Sequence, residues 1–299
     1  MLAKLQGFFC PIMTPFDGDL NVDAPALRRL VERVIAAGAH GIFALGTTGE
    51  GYQLLDDQKR QVVDLVIEPA AGRVPVIAGI GDMSTRRMIA LARRLTRSGL
   101  DGFVAIPPLG TRRLSQQELH DHFTQIADAV DLPVAVYVNP SLTGHFLDAD
   151  SIARLADHPR IVGLKDSTGD FAHFSMVLRA AGGRRDFGIL QGHEWLLDAS
   201  MLMGADGLVC GSGTLAAELP VKIIEAARKG DRAEAARLQQ RLISLLRIYG
   251  PRLETVISGQ KYALSRLGLC QPFCLAPTQP LDDAARARID AVLREEEML

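Results

Sequence analysis

The sequence predicts an α/β chain: a closed (β/α)8 TIM barrel over residues 1–217, followed by a C-terminal helical extension over 218–299, the two forming one functional unit. Three observations point there. Eight short apolar runs rich in Val, Ile and Gly recur at 8–13, 41–45, 74–80, 102–106, 133–138, 161–165, 187–191 and 207–210. They are near-continuous and not alternating, as strands buried on both faces are. Between them lie longer stretches with apolar residues at helical spacing, and a strand–helix unit repeated eight times is the pattern of a closed barrel. A doubly wound sheet of eight strands is the structural rival.

The helices declare their own ends. The stretch 24–37 reads A-x-x-L-x-x-L-V-x-x-V-I-A-A, with Asp23 placed as N-cap and Pro25 in the first turn. The stretch 84–96 opens on Ser84 and carries Met88, Ile89, Leu91, Ala92 and Leu95 on one side. The stretch 115–130 opens Ser-Gln-Gln-Glu, a capping box. Gly38, Gly99 and Gly182 follow their helices, where a glycine in the left-handed region commonly ends a helix. Similar Gly-containing joints at 37–43, 98–104 and 203–209 lead from a helix into a strand. After the eighth strand the chain turns wholly helical, at 218–228, 232–246, 253–267 and 284–293, broken by Gly250-Pro251 and by the Pro-rich 272–280. This tail is longer than one closing helix needs. It is expected to pack on the barrel and on a neighbouring subunit.

Composition narrows the function. The chain has 299 residues, 47% hydrophobic, with 33 Lys plus Arg against 35 Asp plus Glu, a formal charge of −2. That balance gives no field for nucleic acid or an anionic membrane. No uninterrupted apolar run reaches the roughly 18 residues of a membrane span. The start, Met-Leu-Ala-Lys-Leu-Gln-Gly, lacks the apolar region of a signal peptide. Cys10, Cys210, Cys270 and Cys274 are too sparse for a disulfide framework, and no partner completes a zinc spacing. Free thiols in a reducing cytoplasm are the expectation. Neither metal nor cofactor is expected. His40, His120, His122, His145, His158 and His173 are scattered without ligand spacing and are read as surface or capping residues.

Catalytic groups of such barrels lie at the C-terminal ends of strands. Lys165 is the only lysine at the end of any predicted strand, inside Ile-Val-Gly-Leu-Lys-Asp-Ser. A lysine is costly to bury charged, and burial favours the free amine, which forms Schiff bases with ketones and aldehydes. The competing reading pairs Lys165 with Asp166 or another carboxylate. Gly46-Thr47-Thr48-Gly49-Glu50, after the second strand, offers backbone N–H groups and two hydroxyls suited to a carboxylate. It also reads as a tight turn that merely needs glycine. Tyr137 ends the fifth strand, a proton shuttle or a core phenol.

Taken in strand order, Gly-Thr-Thr-Gly-Glu (46–50), Tyr-x-x-Pro (137–140) and Gly-Leu-Lys-Asp-Ser (163–167) closely resemble the dihydrodipicolinate synthase/N-acetylneuraminate lyase family. Pro-Ile-x-Thr-Pro-Phe (11–16), Ala-Gly-Ile-Gly (78–81) and the helical tail fit as well, so the resemblance covers essentially the whole chain. It implies a lysine Schiff-base lyase acting on a 2-keto acid, and a homotetramer built as a dimer of dimers. It implies that Lys165 forms the imine, that Tyr137 shuttles protons, and that Thr47 and Thr48, with Gly46, hold the keto-acid carboxylate. Gly192, His193, Glu194 and Cys210, at the ends of strands seven and eight, would line the same pocket.

Departures from the family pattern steer the substrate. The synthase usually has paired tyrosines after strand four, one of which enters the neighbour's proton relay; here Leu109 and Gly110 stand there. Leu142 stands where the synthase has an arginine for the semialdehyde carboxylate. Of the lyase's Tyr-Asp-Glu run after the strand-seven glycine, only Glu194 remains. The run Lys-Asp-Ser-Thr-Gly-Asp (165–170) resembles the subgroup acting on 2-keto-3-deoxy sugar acids. An aldolase or dehydratase of carbohydrate catabolism is therefore the leading expectation. Alternatives are the synthase itself, a non-catalytic keto-acid-binding relative, and a phosphate-binding barrel using Gly211-Ser212-Gly213.

Overall fold

In the computed structural model, which describes all residues except 1, 97, 98, 252 and 254, the sheet is a closed barrel. Its strands are β1 (Gly7–Pro11), β2 (Gly41–Ala44), β3 (Val76–Gly79), β4 (Gly102–Ala105), β5 (Val134–Val138), β6 (Ile161–Asp166), β7 (Gly188–Gln191) and β8 (Gly207–Leu208). They stand in sequence order and all neighbours are parallel. Pairing of β1 with β8, Gly7 opposite Gly207 and Phe8 opposite Leu208, closes the ring and excludes the doubly wound sheet. Every strand residue is buried, which is why the strands read as unbroken apolar runs.

Around the barrel run α1 (Ala24–Ala36), α2 (Asp56–Ala70), α3 (Thr85–Leu95), α4 (Gln116–Ala129), the short α5 (Pro140–Thr143), α6 (Ala149–Ala156), α7 (Phe171–Ala181) and α8 (Leu197–Leu202). The caps are those the sequence offers. Asp23 accepts from Ala26 N, Ser84 from Arg87 N, and Ser115 and Glu118 close a reciprocal box. Each such cap contributes about 1 kcal/mol. Gly38 and Gly99 take positive φ, but Gly182 does not. At φ −72° it is extended, and Gly183 (φ 73°) makes the left-handed turn one residue later. Ser98 of the 98–104 joint lies outside the described residues, as does residue 254 of the expected 253–267 helix.

Beyond β8 come α9 (Gly213–Ala216), α10 (Glu218–Arg228), α11 (Arg232–Leu245), a 3-10 turn at Leu246–Tyr249, α12 (Val256–Arg266) and α13 (Asp283–Glu295). No helix among the described residues is long and apolar enough to cross a membrane. All four cysteines are free thiols; Cys10 and Cys210 are fully buried and not bridged to one another. Burial, only partly offset by the Thr214 hydroxyl, pushes the Cys10 thiol up to about 12.

The histidines need correction. His122, His145 and His173 are core residues and not surface ones. His122 shares the inward face of α4 with Leu119, Phe123 and Ile126, and its ring is satisfied by Ile106 O (2.9 Å) and Thr85 Oγ1 (2.8 Å). A buried ring with both nitrogens engaged is stable there as the neutral form. Burial accordingly lowers His122 to about 4.

Candidate active site

Strand register builds the centre of the site. Tyr137 on β5 lies directly across from Lys165 on β6, so both side chains project to the same side of the sheet. Lys165 Nζ sits 4.0 Å from the centroid of the Tyr137 ring and 5.2 Å from that of Phe43 on β2. Lys165 is 8% exposed. Among the described residues no carboxylate comes within 4.0 Å of its amine. Asp166, next along the strand, points the opposite way. Its Oδ1 accepts from Thr168 N (2.8 Å) and Thr168 Oγ1 (2.7 Å), and its Oδ2 faces His173 at 3.6 Å. The alternation of a strand thus removes the nearest candidate ion-pair partner for Lys165.

The Tyr137 phenol is perturbed. Burial alone would raise it, but the nearby Lys165 amine, followed by the polar groups of Asn139, Ser167 and Thr47 around it, brings it below the ordinary tyrosine value. Asn139 Nδ2 donates to the phenol oxygen at 3.0 Å. A phenol set this way parts with its proton more readily and takes it back from a neighbour.

The strand-2 loop is held in an unusual shape. Leu45 (φ 59°) and Glu50 (φ 53°) are both left-handed without being glycine. Such strain, which tertiary contacts must hold in place, gathers at functional sites. Thr48 is buried, and the Thr47 hydroxyl is buried without a hydrogen-bond partner among the described residues. Glu50 forms a fully buried ion pair with Lys261 of α12 and accepts from Leu275 N (2.7 Å). Gly192 is where a side chain is forbidden: a Cβ there would stand 2.1 Å from Ser167 Oγ and 3.0 Å from Lys165 Cε.

A motif at strand ends can arise in more than one lineage, so the extent of the match decides. A family model described as the dihydrodipicolinate synthetase family matches residues 4–296. The chain belongs to this family. It is accordingly an enzyme of the lyase class. A 4-hydroxy-tetrahydrodipicolinate synthase of Pelobacter propionicus is 36% identical, covering 97% of this chain and 98% of its own. A probable 2-dehydro-3-deoxy-D-pentonate aldolase of Escherichia coli, YjhH, is 34% identical over 100% of this chain and 99% of its own. The crystal structure of YagE, a prophage protein of the same family from Escherichia coli in complex with pyruvate, superposes with a TM-score of 0.92, at 32% identity and 99% coverage of both chains.

Other residues of this dihydrodipicolinate synthetase family member fall into two groups. Thr48, Glu194 and Gln260 converge on Gly211, where a Cβ would meet Glu194 Oε2 at 3.3 Å, Thr48 Oγ1 at 3.5 Å and Gln260 Nε2 at 3.6 Å. Glu194 is buried and its carboxylate is already engaged. It accepts from Ser212 N (2.7 Å), Ser212 Oγ (2.5 Å) and Tyr249 OH (3.0 Å). Burial outweighs these bonds and raises its carboxyl. Cys210 is fully buried, and burial, then Glu194, keeps it a thiol. His193 lies apart from this cluster. Its ring stands 3.0 Å from the Cβ position of Gly169 and 5.3 Å from the Trp195 ring, and burial lowers it. Gly46 sits over Phe43. Arg112, an exposed residue of the strand-4 loop, is tied to Glu118 at 2.5 Å. Among the described residues no group of three or more His, Cys, Asp or Glu is placed to hold a metal ion.

Sequence reading passed over Tyr52, Asn139, Ser167, Tyr249, Gln260 and Lys261. Rarity was a usable signal for two of them, since the chain has only four tyrosines.

Proposed function

We propose that this lyase forms a Schiff base between Lys165 and a 2-keto acid, and that its substrate is a 2-keto-3-deoxy sugar acid of carbohydrate catabolism, cleaved or dehydrated. The carrying observation is the Lys165 amine, paired with no carboxylate among the described residues and set over the Tyr137 ring at the end of β6. Attack by the free amine on C2 forms the C–N bond while the carbonyl oxygen takes a proton from Tyr137, which regains one from the amine nitrogen. The second amine proton leaves with that hydroxyl as water, and the C=N bond so formed accepts electrons from C3. Retro-aldol cleavage breaks C3–C4, removes the C4 hydroxyl proton and releases an aldehyde, leaving the enamine of pyruvate. Dehydration instead removes a C3 proton and expels the C4 hydroxyl as water. Thr47 and Thr48 hold the carboxylate in either route. A cytoplasmic homotetramer belongs to the same reading.

Two features support sugar acids over aspartate semialdehyde. Leu142, in the turn of α5, packs partly buried against the core and offers no charge. Arg112 is occupied by Glu118. A carboxylate entering a desolvated site without a cation typically loses about 2–5 kcal/mol, roughly 30- to 5,000-fold. The synthase reading keeps its place because curated synthases are as similar as the aldolases. The test compares kcat/KM for a panel of 2-keto-3-deoxy acids with that for pyruvate plus aspartate semialdehyde. Sugar acids are expected to win by at least the lower of those factors; a clear preference for the semialdehyde restores the synthase.

Tyr137→Phe is expected to slow turnover by about 10²–10⁴-fold, the scale of one general acid–base group. KM should change little, because the ring under the Lys165 amine remains. Unchanged kcat in steady-state assays reassigns Tyr137 to packing.

A further inference from the structure

Strand β5 runs straight into a turn whose first side chain is held at both ends. Asn139 follows the strand two positions beyond Tyr137 and is the N-cap of α5. Its Oδ1 accepts from Leu142 N at 3.3 Å. A backbone N–H can only donate, so the amide oxygen is fixed on that side and the NH2 group must face the other way. There it meets the phenol: Asn139 Nδ2 lies 3.0 Å from the Tyr137 oxygen. The turn is braced in its own right. Thr143 Oγ1 donates to Asn139 O (3.1 Å) and accepts from His145 N (3.2 Å), and Gly144 N donates to Pro140 O (2.8 Å). The buried His145 ring is bonded in turn to Thr111 Oγ1 of the strand-4 loop, Nε2 to oxygen 3.0 Å. The amide therefore comes to the phenol already oriented, at no cost of reorganisation during the reaction.

We infer that Asn139 is a positioning residue for the proton transfers of Tyr137. An amide N–H donates and cannot accept, so the phenol cannot rest its own proton on Asn139. That proton is left for another acceptor, which in the substrate complex is the carbonyl oxygen of the keto acid. When Tyr137 passes it on, the phenolate keeps the Asn139 hydrogen bond, which is now charge-assisted and so of the stronger kind. The bond tightens as the charge develops, and only interactions of that sort speed the chemical step. When the phenolate regains a proton from the amine nitrogen, the bond returns to its resting strength. The Asn139 hydrogens stay on their nitrogen throughout. Asn139 does not touch the keto acid; it acts through Tyr137.

This role rests on the Schiff-base reading, and pyruvate alone tests it, with no knowledge of the aldehyde. Enzyme-catalysed exchange of the pyruvate methyl hydrogens in D2O, followed by NMR, gives kcat and KM for imine and enamine formation. Asp and Ser cap helices about as well as Asn, so Asn139→Asp and Asn139→Ser preserve the turn and should leave the thermal midpoint unchanged. Asn139→Ser withdraws the amide. Its kcat is expected to fall about 10- to 100-fold, the scale of a hydrogen bond to a charged group, with KM within about twofold. Asn139→Asp sets an anion against the phenolate and should lose more than the Ser variant. In a Tyr137→Phe background Asn139→Ser should cost less than about twofold, since no phenol is left to serve. Wild-type kcat in Asn139→Asp, or an equal loss from Asn139→Ser with and without the phenol, overturns the role. Where Tyr137→Phe exchanges too slowly to read, the order of the single variants decides: Asn above Ser above Asp is expected, and Asp at or above Ser overturns it. Absence of exchange and of any borohydride adduct in the wild type is a separate outcome, which removes the Schiff base and this role with it.

Discussion

Lys165→Ala loses turnover by on the order of 10⁶-fold, the scale seen when an enzyme's nucleophile is removed, while the protein stays folded. The two halves of this expectation come from the same geometry. With the amine gone there is no route to an imine, and Tyr137 and the threonines have nothing covalent to serve. Yet no carboxylate among the described residues is orphaned by the change, because Asp166 is bound to Thr168 and faces His173 on the other side of β6. What the fold loses is an amine over two ring faces, a contact of roughly 0.5–2 kcal/mol. The thermal midpoint should therefore drop by a few degrees at most. Retained catalysis in purified Lys165→Ala would place the nucleophile elsewhere, and collapse of the fold would make Lys165 structural.

Breaking the Glu50–Lys261 pair is expected to have the largest effect on stability. Both groups are completely buried. Lys261 Nζ also donates to Phe273 O at 2.8 Å and lies 3.9 Å from the Phe16 ring centroid, while the second Glu50 oxygen takes the Leu275 N–H. Glu50→Gln strands a buried ammonium and Lys261→Met a buried carboxylate. Removing one partner of such a pair costs about 3–5 kcal/mol, whereas replacing both is often close to neutral. The double variant Glu50→Gln/Lys261→Met should therefore recover much of the loss in denaturant unfolding, and additive losses would contradict the pairing. Because Glu50 closes the loop that carries Thr47 and Thr48, either single variant should also lower kcat/KM in whatever remains folded.

The barrel and the centre of its site were legible because both rest on local signals. Strand runs, caps and the residue at each strand end are readable within a few positions, and parallel register then brings Tyr137 opposite Lys165 without further information. The supports of the site were not legible in the same way. Glu50 meets Leu275 across 225 positions, and Glu194 meets Tyr249 across 55. Such pairs are set by how the tail folds against the loops after β2 and β7, and no periodicity encodes that. Glu194 shows the consequence. As a lone carboxylate after a strand-end glycine it reads as a substrate contact, but the tail and the β8 loop already bind its oxygens. The buried histidines were misread for a related reason: a polar residue on an apolar helix face looks exposed until the carbonyl that satisfies it, here Ile106 O for His122, is in view.

The most direct measurement of the central claim is borohydride reduction of the wild-type enzyme with pyruvate, followed by peptide mapping of the modified residue by mass spectrometry. The chain has six lysines, at 4, 59, 165, 222, 229 and 261, so the outcome is unambiguous. One reduced adduct, confined to the peptide carrying Lys165 and absent from Lys165→Ala, is the predicted result. An adduct on any other lysine, or none at pyruvate concentrations that saturate methyl-hydrogen exchange, would contradict it.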